Sequence, residues 1–276
     1  MSFCANYHRF LAYLCISAAI SAAHASGAQV HMKNHIEISS ATAFHDIHPG
    51  ESGLLAITLD IQEDWHTYWP GLSDSGYGVS LDIQPTGPVS LGEIIWPSPN
   101  RYLQPGRILD HVYEESVMIL VPFYVEKDAS TDDVIIFDIH ADYLVCKDVC
   151  IPEQGDTTAT ISIIESTQEK LPTSQASEIQ SAFKSKPIEF NPTDDAVRVQ
   201  WIPDAAAIMI QGAKSIEFYP SKECTQLFDP IGDPVVNGDR LIIKFAEKEN
   251  KVLSGRLRVQ VASGVVEYDI HIKPTE

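Results

Sequence analysis

The chain has 276 residues, 44% of them hydrophobic, with 38 acidic residues against 19 basic and a formal net charge of −19 at pH 7. That balance argues against nucleic acid or an anionic membrane surface as a partner, because both would repel it. The length suits one large β domain or two small ones, and the patterning favours two.

Met1 to Ala25 reads as a secretory signal: His8 and Arg9, then the apolar run Phe10 to Ile20, then Ala23-His24-Ala25 before Ser26. A spanning helix needs about 20 apolar residues. This run is too short, and nothing later approaches it, so the mature chain is expected to be exported without membrane insertion. Cys4 and Cys15 leave with the leader, which keeps Cys146, Cys150 and Cys224. Two can pair and one is left over.

From residue 26 to 164, period-two stretches recur between Gly and Pro turn signals, in Leu55 to Ile61, Val117 to Val121, Ile135 to Val145 and Ala159 to Ile163. Short strands separated in this way predict a β-sandwich. Residues 165 to 187 turn polar, with Ala176, Ile179, Ala182 and Phe183 at helical spacing, and read as a linker carrying one short helix. Strand signals return over 188 to 276 in Val197 to Trp201, Ala207 to Ile210, Leu241 to Phe245, Leu257 to Val261 and Val265 to Ile272. The expectation is an all-β chain, a larger sandwich followed by a smaller one.

The closely spaced cysteines of the mature chain lie in Asp142-Tyr143-Leu144-Val145-Cys146-Lys147-Asp148-Val149-Cys150-Ile151-Pro152-Glu153. On one continuous strand Cys146 and Cys150 would stand about 13 Å apart, twice the usual Cα reach of a disulfide. The chain must turn between them. A tight hairpin with Lys147, Asp148 and Val149 at its tip, or one turn of helix, brings the sulfurs within bonding distance at an exposed end.

This motif resembles the cysteine motif in the N-terminal periplasmic region of DsbD-type disulfide reductases, and most closely that of their ScsB relatives. Trp65-His66-Thr67-Tyr68-Trp69-Pro70-Gly71, Trp96-Pro97-Ser98-Pro99 and the tract from Tyr113-Glu114 to Val121-Pro122 fall in the family's order, so the resemblance runs from about Ile36 to Ile164. It implies an immunoglobulin-like domain in the periplasm whose cysteines take electrons from a membrane-embedded reductase and pass them to thioredoxin-fold proteins. By the family pattern Cys150 meets partners and Cys146 resolves the mixed disulfide. Well-known members fuse this region to a transmembrane segment and a thioredoxin-like domain, and space their cysteines more widely. The segment aligned with their protective cap is here Arg101 to Arg107, with Tyr102 and Leu103 as candidate shields and without the family's acidic and Phe residues. Around the pair, Lys147 favours thiolate, whereas Asp142, Asp148 and Glu153 oppose it; Tyr143 is a further neighbour.

Other readings compete. A cysteine pair in an exported sandwich is commonly a structural bond, giving a non-catalytic adaptor or binding module. A loop this short removes little chain entropy, which makes it a poor staple and a plausible switch. Zinc wants four ligands and no second pair supplies them, although His140 shares the strand parity of Cys146. His31, His35, His45 and His48 form a loose cluster of a kind that could hold copper, with solvated histidines the simpler reading. Ser73-Asp74-Ser75-Gly76 reads as a loop, since no nucleophile elbow accompanies it. Trp65, Tyr68, Trp69 and Trp96 read as core, some with edges at the active end, and Cys224 as buried. Neither the exchange reading nor the adaptor reading needs a bound cofactor.

Overall fold

The computed structural model describes residues 34–193, 196–247 and 249–274. The expected leader and His31 lie outside the described residues. In chain order the first sandwich holds β1 (Ile36–Thr42), β2 (Asp46–Ile47), β3 (Ser52–Ile61), β4 (His66–Tyr68), β5 (Ser80–Thr86), β6 (Val89–Leu91), β7 (Asn100–Gln104), β8 (Ile108–Glu114), β9 (Ser116–Val125), β10 (Val134–Cys146) and β11 (Cys150–Ile163). One sheet runs β1-β3-β9-β6. The other runs β2-β11-β10-β4-β8-β7, with β5 beside β10.

Alternation builds the core. On β10 the residues Ile135, Phe137, Ile139, Ala141, Tyr143 and Val145 are buried, and they meet Leu55, Ile57 and Leu59 of β3 and Ile119, Val121 and Phe123 of β9. Each Ile, Leu, Val or Phe among them contributes about 1.5–3 kcal/mol by leaving water. The other parity of β10 carries His140 and Asp142 toward solvent, as an outer face requires.

Helix α1 (Ala176–Lys184) buries Ala176 and Ile179 and lays Ile179 against Ala43, Ala56 and Leu120 of the first sandwich. Pro187 follows it, where a helix cannot continue. The second, smaller sandwich contains β12 (Ile188–Glu189), β13 (Arg198–Ile202), β14 (Ala205–Met209), β15 (Ser215–Pro220), β16 (Val235–Val236), β17 (Arg240–Lys244), β18 (Leu253–Val261) and β19 (Gly264–Ile272). Its sheets run β12-β19-β18-β15-β16 and β13-β14-β17, closing on Ile208, Ile216, Phe218, Leu241, Ile243 and Leu257. Among the described residues no helix is long and apolar enough to cross a membrane.

The sandwiches share buried surface. Tyr219 of β15 belongs to the core cluster of the first sandwich. Arg256, 5% exposed, binds Asp269 through two parallel bonds of 2.8 and 3.0 Å and donates to the Trp96 carbonyl across the interface. A buried guanidinium is tolerable only when its donors are met in this way.

Candidate redox site

β10 and β11 form one uninterrupted antiparallel hairpin whose register runs from Val134↔Ser162 to Cys146↔Cys150. The turn is Lys147-Asp148-Val149, closed by the Lys147 N–H donating to the Val149 carbonyl at 3.3 Å. Of the two turns open to the sequence, the chain makes the hairpin. Cys146 and Cys150 are therefore directly opposed, 4.2 Å apart at Cα, and bonded to each other, close to the separation of a non-hydrogen-bonded antiparallel pair.

The two sulfur-bearing residues differ in access. Cys146 is 2% exposed, whereas Cys150 is exposed at the end of the sheet. Both lie on the outer face, not in the core. What buries Cys146 is a satellite cluster with Tyr68 and Val112, flanked by Leu144. β4 pairs with the end of β10 so that His66 stands opposite Cys146, and alternation puts His66 and Tyr68 on the disulfide's face. The Tyr68 phenol donates to Cys146 Sγ at 3.2 Å and lies 3.7 Å from Cys150 Sγ. Burial holds its pKa above the ordinary value, so it stays a donor through neutral pH. Burial also lowers the pKa of His66, against the pull of Glu114 and Asp110; its ring meets that of Tyr102 at 4.7 Å.

This hairpin lies inside residues 37–162, which match the family described as thiol:disulfide interchange protein DsbD, N-terminal. Residues 37–162 belong to the DsbD N-terminal family. In fold, the chain resembles the N-terminal periplasmic domain of ScsB from Proteus mirabilis, at 16% identity and a TM-score of 0.56, over 88% of this chain and 95% of that one. The DsbD N-terminal domain of Neisseria meningitidis, in its reduced form, aligns at 13% identity and a TM-score of 0.28 over 48% of this chain and 87% of that one. No curated protein matches the chain in sequence. The first sandwich is thus the immunoglobulin-like DsbD N-terminal fold, and the ScsB likeness extends across the second.

Within the DsbD N-terminal segment the candidate residues part company. Tyr102 is on the disulfide's face, reaching it through His66. Leu103, the next residue on β7, takes the opposite face by strand alternation and is 57% exposed. Tyr143 and Glu153 oppose each other on the inner parity of the hairpin. There Tyr143 is core, its phenol pushed up to about 12 by burial, and Glu153 receives both the His35 ring at 2.5 Å and the His35 N–H at 2.9 Å. Lys147 and Asp148 are at the exposed tip, where the Lys147 ammonium pairs with Asp64 at 2.8 Å, so its charge is answered by a carboxylate.

The remaining candidates disperse. His140 sits between Asp156 (2.7 Å) and Asp142 (3.6 Å) on the open face. His48 bonds Glu51 and the Gln168 carbonyl, and the His35 ring lies tilted against Trp65 at 3.8 Å. Ser75 is tied to buried Asp110 by N–H and hydroxyl, at 2.8 and 2.7 Å. Cys224 is buried and free, its thiol pushed up to about 11 by burial. Residue reading missed His66 and the specific role of Tyr68 on the sulfurs. The available signal was parity in Trp65-His66-Thr67-Tyr68, which places 66 and 68 on one face of any strand.

Proposed function

We propose that this protein is a periplasmic dithiol carrier, exported by its Met1–Ala25 leader, that draws electrons from a membrane-embedded disulfide reductase and hands them to periplasmic thioredoxin-fold proteins. The observation that supports it best is the unequal access of two bonded sulfurs across a hairpin tip, Cys150 open and Cys146 covered. Cys150 thiolate attacks one sulfur of a partner's disulfide, forming a mixed disulfide and releasing the partner's other sulfur as a thiolate that takes up a proton. Cys146 thiolate, opposite in register, then attacks Cys150 Sγ and expels the partner's second sulfur, which is protonated in turn. Two electrons and two protons pass to the partner, and the carrier is left as the disulfide. The reductase reverses these steps. Tyr68 donates to the sulfur on which negative charge develops, and Tyr102 acts as the cap over the Cys146 side. Residues 26–164 form the redox domain, 165–187 the connection and 188–276 the second domain.

The reduction potential of the pair tests this. Purified protein equilibrated in glutathione or dithiothreitol buffers and trapped for free thiols is expected to give a value in the range of exchange proteins, roughly −120 to −270 mV. A value below about −300 mV, where structural disulfides lie, would sink the carrier reading and leave a bonded adaptor.

A further inference from the structure

The face of β7 and β8 turned away from the disulfide is packed against the second sandwich. Arg101 on β7 donates Nη2 to the carbonyl of Ile231 at 2.7 Å and that of Pro230 at 3.4 Å. Those carbonyls belong to a turn shaped by Asp229, whose Oδ1 accepts the N–H groups of Ile231 and Gly232 at 3.2 Å each. Asp229 also meets Arg107, in the β7–β8 turn, at 3.4 Å. His111, opposite Arg101 in register, sets its ring edge-on to Tyr219 at 5.5 Å. The strand β7 is the last of its sheet, so in the described residues its free edge gains no further strand to hold it.

Strand alternation converts this anchorage into control of the site. With Arg101 fixed on one face, Tyr102 must emerge on the other, where it leans on His66, the residue opposite Cys146. A line of contacts therefore runs from the 229–232 turn through Arg101, Tyr102 and His66 to the buried sulfur. We infer that the second sandwich clamps the cap: Arg101 is a positioning residue that holds the β7–β8 hairpin so that Cys146 stays covered while Cys150 stays open. This deepens the carrier reading and rests on it. The clamp imposes the order of the two steps, since a partner can reach only Cys150 and only Cys150 can present a sulfur to Cys146.

The test is alkylation of the fully reduced, full-length protein with iodoacetamide, each thiol followed by mass spectrometry. In Arg101→Ala, Cys146 is expected to react about tenfold faster and Cys150 to change by less than about twofold, as loss of a charge-assisted bond that holds a local closure implies. Arg101→Lys restores part of the protection, because an ammonium can take the place of the one nitrogen, Nη2, that meets the two carbonyls but on a stem of different length and shape. Asp229→Ala replaces a residue of the second sandwich, releasing both the 229–232 turn and the Arg107 contact, and is expected to act in the same direction, which covers the case of an Arg101 variant that does not fold. A purely structural role would lower the melting temperature and leave the ratio of the two rates alone. An unchanged ratio in folded variants overturns the clamp. Alkylation needs no partner and no particular potential, so a potential in the structural range would end the carrier reading without touching this result.

Discussion

Tyr68 is the side chain closest to the chemistry after the cysteines themselves. Its hydroxyl is the donor aimed at Cys146 and stands beside Cys150, in a cluster that excludes water from one sulfur and not the other. A donor to sulfur is worth most when the sulfur carries charge. Tyr68→Phe keeps the ring and deletes only that bond, so exchange with a small disulfide at pH 7 is expected to slow by about tenfold, the order a single charge-assisted bond supports. Stopped-flow thiol kinetics would show it, and a variant as fast as wild type would remove Tyr68 from the mechanism. The motif around the cysteines was legible from residues because a bond across so short a separation permits few conformations. Tyr68 and His66 were not, since their part depends on which strand pairs with the end of β10, and pairing is a tertiary fact.

Among elements, the hairpin of β10 and β11 owes its geometry mostly to β10. The alternation of Ile135 to Val145 announces that strand at once. The first half of β11, Cys150 to Thr158, has exposed and half-buried residues in turn, contains Pro152 and Gly155, and carries no apolar signal; it is a strand because β10 lies beside it. The pairing extends over the whole length of both strands, from Val134↔Ser162 to Cys146↔Cys150. Closing a loop of about five residues removes chain entropy worth only about 2 kcal/mol. Reduction with dithiothreitol is therefore expected to lower stability by no more than about that amount while leaving the far-ultraviolet circular dichroism unchanged. A reduced protein that unfolds would show the bond to be structural. Strand β8 escaped the sequence for a related reason: its buried run includes Asp110 and His111, which break any apolar pattern; Asp110 accepts from Ser75 and Gln104, and His111 Nδ1 meets the Leu72 carbonyl.

At the scale of the molecule, the all-β character and the two sandwiches were readable from strand spacing, but their union was not. Tyr219 enters the first core and His111 meets it edge-on, contacts between residues more than a hundred positions apart. That junction has a pH signature. Burial, the main cause, lowers the pKa of His111, partly offset by its bond to the Leu72 carbonyl. The unfolded chain then takes up a proton below the ordinary value of 6.5 that the folded chain refuses, so stability is full above that pH and falls as pH drops toward the folded pKa. His66 has the same sign, and exposed His140, raised by Asp156 first, has the opposite one. Comparison with His111→Asn, which keeps a donor for Leu72, isolates the junction: melting temperature is expected to decline less between about pH 7 and pH 5 in the variant. Equal slopes would show that His111 does not carry the dependence.

The register that sets Cys146 against Cys150 has one more consequence. Because the strands pair along their whole length up to the cysteines, reduction is expected to change little beyond the tip, and a distant surface would then receive no news of the oxidation state. In the carrier proposed above, donor and acceptor would each query the same atom, Cys150 Sγ, by touch, and neither would be present while the other is. Traffic would then be single-file, with a throughput set by how quickly each visitor leaves.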